Sequence, residues 1–277
     1  MIPLAELFPE GDYGFQMALR RQEPREFFRA HDATGRLVAE RARWLAADPA
    51  GYAALTAEGE PLLEEFAELC AEWGVAASVS EWIDPPLAHA RSHVGEKLHA
   101  LGAALEPDFL LLSPDADGAF RLRGGALCFP TGWALGEKLG HTLDFIHGVV
   151  PGLNRALASP IHQFLSRLKP GVAVCRDNWG LAATDELNLH PARGLAAPTM
   201  PVSLERLWLR VEHQAFVALP RTRGVAFGIR IALHRLDAVA ADRAVAAGLR
   251  RALDSMPPEI AAYKRLGGIR TAVAGLL

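Results

Sequence analysis

The feature that most constrains the fold is a change in hydrophobic period at Glu106-Pro107. Before this point apolar residues recur every three or four positions, which is the period of an amphipathic helix. After it, short apolar or alternating runs are bounded by turn signals, which predicts strands. The order is two strands, one helical stretch and three more strands, at 108–113, 120–129, 131–168, 172–181, 204–219 and 224–233. This order predicts an antiparallel sheet with a helical insert.

We therefore predict an α+β protein built on a PAS-like antiparallel sheet of about five strands, in which the concave face and the inserted helices enclose a ligand. An N-terminal helical region (1–105) precedes the PAS-like core (106–237), and C-terminal helices (238–277) follow it. The three parts are expected to form one compact unit. Of the 277 residues 50% are hydrophobic, which suffices for a buried core with an enclosed cavity.

Charge and cysteine usage exclude several classes of protein. Lys and Arg total 29 and Asp and Glu total 32, so the net charge of −3 gives no general attraction to nucleic acid or to an anionic membrane. The three cysteines form no CxxC pair, which argues against a zinc or iron–sulfur site and favours a reducing compartment. The sequence shows neither a secretory signal nor an uncharged apolar stretch of about 18 residues. We expect a cytoplasmic protein that binds neither nucleic acid nor membrane.

The sequence contains none of the common nucleotide-binding or hydrolase motifs, so its ten histidines are the main candidates for metal chemistry. His89, His93 and Glu96 lie on one face of a helix predicted over 83–105. A solvated helix surface explains them better than a metal site, because one helix seldom supplies three ligands.

His147 ends a predicted helix directly before the small residue Gly148. A neutral imidazole in this position suits axial coordination of haem iron. The spacing alone fits a second interpretation better, in which the histidine bonds the last carbonyl groups of its own helix. Arg210, Glu212 and Gln214 form the polar face of the strand over 204–219. They are either a solvated edge or the polar wall of a cavity that binds a propionate or a cationic amine.

Several strings follow one another in an order that resembles one known family. They are Cys128-Phe-Pro-Thr-Gly-Trp133, Glu137-Lys-Leu-Gly140, Ile146-His147, Val150-Pro-Gly-Leu-Asn154, Arg176-Asp-Asn-Trp179, Leu209-Arg-Val-Glu-His-Gln214 and Ala262-Tyr-Lys264. Their combination is similar to the signature of the haem-dependent oxidative N-demethylase α-subunit family, which is dimethylamine monooxygenase-like. The string Phe15-Gln-Met-Ala-Leu-Arg20 extends the resemblance toward the N-terminus.

The resemblance implies a haem b enzyme that uses O₂ to oxidise a small methylated amine and releases formaldehyde. Electrons would come from NAD(P)H through a separate flavin and iron–sulfur reductase, and assembly into an oligomer is compatible with this division. His147 is implied as the iron ligand, with His141 and His162 as the alternatives. The implied catalytic residues are Glu212, which neutralises the amine, and Arg230.

The resemblance also suggests how the cofactor would be bound. The implied cofactor-binding residues are Arg210, Gln214, Trp133, Asn178, Trp179 and Phe227. We expect Arg210 and Arg230 to form a cationic rim for the haem propionates. We expect apolar walls from Trp133, Leu143, Phe145, Phe164, Trp179 and Phe227.

Four residues depart from the family pattern, namely His213, Ala215, Ile231 and Ala232. They concern the identity of the substrate more than the fold or the haem. The main alternative function is a PAS-like haem or small-ligand sensor without turnover. The enzyme is favoured because no coiled-coil, helix-turn-helix or kinase signature lies outside the matched region. A haem-free structural subunit is a third possibility.

Overall fold

The computed structural model describes residues 3–76 and 93–277. The helix predicted over 83–105 is observed from His93 to Ala104, and its first residues lie outside the described ranges. The proposed grouping of His89, His93 and Glu96 therefore also lies partly outside them. Within the described ranges no helix is long and apolar enough to span a membrane.

Eleven α-helices lie in these ranges. The N-terminal group is α1 (Pro24–Phe28), α2 (Arg36–Ala47), α3 (Pro49–Tyr52), α4 (Glu60–Glu72) and α5 (His93–Ala104). The insert contains α6 (Leu143–His147) and α7 (Leu153–Ser166). The C-terminal group is α8 (Leu236–Ala241), α9 (Arg243–Ser255), α10 (Pro258–Tyr263) and α11 (Arg270–Leu276).

In residues 3–76 and 93–277, seven antiparallel strands form a single sheet. They are β1 (Arg20–Gln22), β2 (Ala53–Leu55), β3 (Asp108–Pro114), β4 (Phe120–Ala126), β5 (Ala173–Ala182), β6 (Trp208–Leu219) and β7 (Gly224–Arg235). Their order in the sheet is β1-β5-β6-β7-β3-β4-β2. The α+β prediction is confirmed, but the sheet has seven strands where about five were expected. The two additional strands, β1 and β2, come from the N-terminal region and have three residues each.

The sheet has two faces with different environments. Glu212, Gln214 and Phe216 of β6 point to one side, together with the β7 residues Phe227 and Ile229 that pair with Phe216 and Gln214. We call this side the cavity face. The other side, which we call the packed face, carries the small and branched residues that alternate with them along the strands.

Helices from both ends of the chain cover the packed face. The N-terminal helices bury one part of it through residues that include Phe28, Phe66 and Leu101. The C-terminal helices bury the other part, with Leu249 and Leu253 of α9 packed against strand residues. The amphipathic α9 begins at Asp242, whose carboxylate accepts hydrogen bonds from the first backbone N–H groups of the helix. These layers leave the opposite face for the inserted helices.

Candidate functional site

A cavity of about 400 Å³ lies between the cavity face and the inserted helices α6 and α7. The rings of Phe216 and Phe227 stack on its floor with their centroids 4.6 Å apart. The other apolar walls are Leu110, Leu112, Leu122, Leu143, Ile146, Ile161, Phe164 and Leu165. The volume falls in the range of sites for small molecules and cofactors.

An N-terminal segment, residues 6–18, lies along one side of this cavity. Arg251 of α9 binds the backbone carbonyl groups of Pro9 and Gly11 at 3.1 and 3.2 Å. The backbone N–H of Tyr13 donates to the Ser255 hydroxyl at 2.8 Å. The prediction of a helical N-terminal region did not anticipate this wall. Part of it falls in the family-like string that begins at Phe15.

His147 lies at the end of α6 and lines the cavity. Thr142 caps the start of α6, and the side-chain amide of Asn154 on α7 donates to the backbone carbonyl of Asp144 at 2.7 Å. Burial lowers the pKa of His147 to about 4, and Lys138 and Arg176 act in the same direction. Within the described ranges its ring makes no hydrogen bond. A neutral imidazole with a free lone pair therefore faces the cavity.

The two alternative histidines are placed differently. His141 is exposed and stacks on Phe145 with centroids 4.0 Å apart. His162 binds the carboxylate of Asp144 at 3.2 Å. Neither ring is among the described groups that line the cavity. Of the three candidates, only His147 is positioned to bind a ligand there.

Glu212 is held in the cavity by neutral donors. Its Oε1 accepts the hydroxyl of Thr131 at 2.6 Å. Its Oε2 accepts the side-chain amides of Asn178 at 3.3 Å and Gln214 at 3.0 Å. The Thr131 hydroxyl itself accepts Nε of Arg210 at 2.9 Å, so Arg210 positions Glu212 through Thr131. The carboxylate is fixed in place without a direct ion pair.

The structure brings neither Arg210 nor Arg230 to the cavity rim. Arg210 is 2% exposed and donates to the backbone carbonyls of Phe129 and Leu187 at 2.9 and 2.8 Å. Arg230 points to the packed face, because the strand register sets it opposite His213. There it pairs with Glu106 and donates to two carbonyl groups of the N-terminal region. Both guanidinium groups are engaged by the protein itself.

Most of the other expected cavity residues are found there. The lining includes Trp133, Leu143, Phe164, Trp179, Phe227, Asn178 and Gln214. Phe145 is the exception, since it is 59% exposed and points away. None of the four departures from the family pattern lines the cavity. His213 and Ala215 are on the packed face, and Ile231 and Ala232 pack against the core clusters.

Besides Arg20, which is paired with Asp177, three cations that line the cavity were not predicted as site residues. Lys264 donates from Nζ to the backbone carbonyl of Trp179 at 2.6 Å, and burial lowers its pKa to about 8. Lys138 lies over the ring of Trp133 at 4.0 Å, and burial lowers its pKa too. Arg176 extends from β5 on the cavity face. All three belong to strings that carry the resemblance, which was the one signal in the sequence that pointed to them.

One family model matches nearly the whole of the described fold. A family model described as haem-dependent oxidative N-demethylase, alpha subunit-like, matches residues 19–274. The matched part includes all seven strands and the inserted helices. It also includes His147, Glu212 and the three cavity cations. The chain therefore belongs to the haem-dependent oxidative N-demethylase, alpha subunit-like family.

Proposed function

We propose that this protein is a haem b-dependent oxygenase that removes a methyl group from a small amine and releases it as formaldehyde. The observation that carries the proposal is His147, a neutral histidine with no hydrogen bond to its ring among the described residues, in the apolar cavity of a chain from a haem-dependent family. The five central strands with their helical insert support the PAS-like architecture that was expected. The description as an alpha subunit supports a partner polypeptide, which would supply electrons from NAD(P)H through a flavin and iron–sulfur reductase.

The residues of the cavity fit a haem. A porphyrin needs apolar walls, a metal ligand and cationic groups near its carboxylate edge. The stacked pair Phe216 and Phe227 and the facing Phe164 supply apolar walls. His147 supplies the imidazole, and Arg176 and Lys264 supply positive charge in the same cavity. When bound, haem would supply the site at which O₂ is reduced and the oxidising power toward the methyl group.

The reaction balances with one O₂, two electrons and two protons. One oxygen atom is inserted into a C–H bond of the N-methyl group, and the other leaves as water. The resulting carbinolamine then loses formaldehyde as its C–N bond breaks, and the proton of its hydroxyl group passes to the nitrogen. The protein must bind the amine, remove its ammonium proton and keep water from the reacting carbon.

Glu212 is the residue placed for the amine. A methylated amine is cationic at neutral pH, and a carboxylate fixed by Thr131, Asn178 and Gln214 binds its N–H group without rearrangement. The same carboxylate accepts the ammonium proton, which leaves the free amine to be oxidised. The apolar floor, with Phe216 and Phe227, favours a small substrate without further polar groups at the methyl end.

The first experiment tests the haem site. The purified protein is reconstituted with haem, and the Soret band is compared in the wild type, His147→Ala and the control His162→Ala. We expect the band to weaken or shift in His147→Ala alone. An unchanged spectrum in His147→Ala rejects this histidine as the iron ligand.

The second experiment tests turnover. Formaldehyde is measured with a panel of secondary and tertiary methylamines and a surrogate reductase, in the wild type and in Glu212→Gln. We expect release by the wild type and a loss of about two orders of magnitude or more in the variant, the usual size of an acid–base contribution. Haem reduction and O₂ binding without formaldehyde from any amine would favour the sensor instead.

A further inference from the structure

We propose that Arg176 binds a carboxylate group in the cavity, an inference that rests on the proposed function. Two sources of this chemistry fit the site. One is a propionate of the haem, and the other is the carboxylate of a zwitterionic substrate such as an N-methyl amino acid. Both sources offer a carboxylate. We expect a carboxylate because the guanidinium group of Arg176 makes no hydrogen bond or ion pair among the described residues.

Arg176 is a cation with no hydrogen-bond or ion-pair partner in the part of the chain that the structure describes. Its Nε is fully buried and makes no hydrogen bond, and within the described ranges its guanidinium group forms no ion pair. The three buried arginines of the described ranges are held by the protein, Arg41 by Asp108, Arg230 by Glu106 and Arg210 by backbone carbonyls, although Arg41 Nη2 and Arg230 Nε also make no hydrogen bond. A buried charged donor without an acceptor is costly, so its presence in a cavity indicates a ligand that supplies the acceptor.

The acidic residues near Arg176 either bind other groups or lie exposed at the edge of the cavity. Asp177, the next residue on β5, binds Arg20 at 2.7 Å and His213 at 2.5 Å. Glu212 accepts the three neutral donors described above, and it contacts no cation directly. Glu6 and Asp12 are exposed where the N-terminal segment meets the cavity, and neither makes an ion pair with Arg176. Glu212 and Asp177 lie near enough to favour the charge of Arg176, but no carboxylate of the described residues forms an ion pair or hydrogen bond with its guanidinium group.

The surroundings of Arg176 favour an anion over a neutral group. Lys138 and Lys264 line the same cavity, and neither forms an ion pair among the described residues. Of the four carboxylates in the lining, Asp177 is paired with Arg20, and Glu6 and Asp12 are exposed at its edge, which leaves Glu212 beside the three unpaired cations. Tyr13 also lines the cavity, and burial raises the pKa of its phenol, which keeps its O–H available as a donor. A planar guanidinium matches the two oxygens of a carboxylate, which a lysine ammonium does not do.

The test compares Arg176→Met and Arg176→Lys with the control Arg167→Met, which removes an exposed arginine that does not line the cavity. Three quantities are measured on the full chain. They are the affinity for haem and for haem dimethyl ester, the calorimetric binding of N-methylglycine and of dimethylamine, and the thermal stability of the ligand-free protein.

If the source is a propionate, Arg176→Met weakens haem binding by about tenfold to a hundredfold, the range of a charge-assisted hydrogen bond, and leaves the binding of the dimethyl ester unchanged. If the source is the substrate, haem binding is unchanged, and N-methylglycine binding is lost while dimethylamine binding is kept. Arg176→Lys should recover only part of either effect. The control variant should match the wild type throughout.

The outcomes separate this inference from the proposed function. A wild type that binds no haem overturns the haem proposal, and N-methylglycine calorimetry still decides the role of Arg176 because it needs no haem. The inference is overturned if Arg176→Met alters the binding of neither carboxylate. It is also overturned if Arg176→Met lowers the melting temperature of the ligand-free protein, because an arginine without a partner should not stabilise the fold.

Discussion

The two sides of the sheet differ in whether their polar and charged side chains have partners within the protein. On the packed-face side, Arg230 meets Glu106, and His213 meets Asp177. In the cavity on the other side, His147 of α6 and Arg176 of β5 have no hydrogen-bond or ion-pair partner within the described ranges. The Nε of Arg176 is buried like the paired groups of the packed face, so the energetic penalty for an unpaired polar group applies on both sides of the sheet. The difference indicates that the paired groups stabilise the fold and that the unpaired groups are available to bind a ligand.

The largest effect is expected where pairing is most complete. Asp108 accepts Arg41 and the backbone N–H groups of Cys128 and Phe129, the latter two at 2.6 and 3.0 Å. Asp108→Asn should lower the free energy of unfolding by about 3–5 kcal/mol, because it leaves the Arg41 charge buried and unpaired. Urea denaturation measures this, with the exposed Asp117→Asn as control. A loss as small as the control would show that pairing does not stabilise this part of the molecule.

Arg210 lies beside the cavity but binds only protein groups. Its replacement shows whether a buried cation at this position stabilises the fold or binds a ligand. Arg210→Leu leaves several backbone carbonyls without a donor and should cost about 2–3 kcal/mol. Arg206→Leu, which removes an exposed arginine, is the control. We expect the melting temperatures of the ligand-free and haem-loaded forms to fall equally. A fall in haem affinity at unchanged stability would instead show that Arg210 binds a haem propionate.

Two glycines compare the space on the two faces directly. A methyl group added at Gly228 would lie 2.5 Å from Phe27 and 2.8 Å from Phe28, whereas one added at Gly180 meets nothing within 4 Å. Gly228→Ala should therefore cost about 1–3 kcal/mol by overpacking. Gly180→Ala should change stability by less than about 0.5 kcal/mol. Equal effects in thermal denaturation would contradict the difference in packing.

The last comparison varies pH and concerns the titration of His147. Its pKa is about 4 in the folded protein and near 6.5 when unfolded, so the unfolded chain binds more protons between these values. Stability therefore falls as pH drops from about 6.5 toward 4. The ligand-free His147→Gln variant should lose less stability than the wild type over this window, as denaturation at pH 7 and pH 4.5 would show. Parallel losses would mean that burial does not suppress the charge of His147.

Much of the fold could be predicted from period and turn signals. The expected strand over 224–233 is observed as Gly224–Arg235, and the one over 172–181 as Ala173–Ala182. Strands β1 and β2 were missed because three residues are too few to show an alternation. The alternation of a long strand is enough to predict its conformation from sequence. A short edge strand forms because a neighbouring strand offers hydrogen bonds, and its own sequence does not indicate this.

The site was less accessible to sequence reasoning. Within β6 the alternation correctly set Glu212 and Gln214 on one face. Alternation within one strand does not determine the face of Arg230 relative to Glu212, because that depends on the β6–β7 register. The sequence of either strand by itself does not determine this register. Lys264 reaches the cavity from a helix far along the chain, so only the family-like string indicated it. Partner groups such as Glu106 depend on tertiary contacts in the same way.

The positions of β1 and β2 carry a consequence for the solubility of shortened forms of this chain. The two strands lie at opposite ends of the sheet, where they pair with β5 and β4, and both come from the N-terminal region. Exposed sheet edges promote strand-to-strand aggregation, and very short, charged strands such as Arg20–Gln22 are a natural defence against it. A fragment that begins near residue 106 would expose the N–H and C=O groups of β5 and β4 at once. We expect it to self-associate, so the strands after residue 106 need the N-terminal region to prevent aggregation.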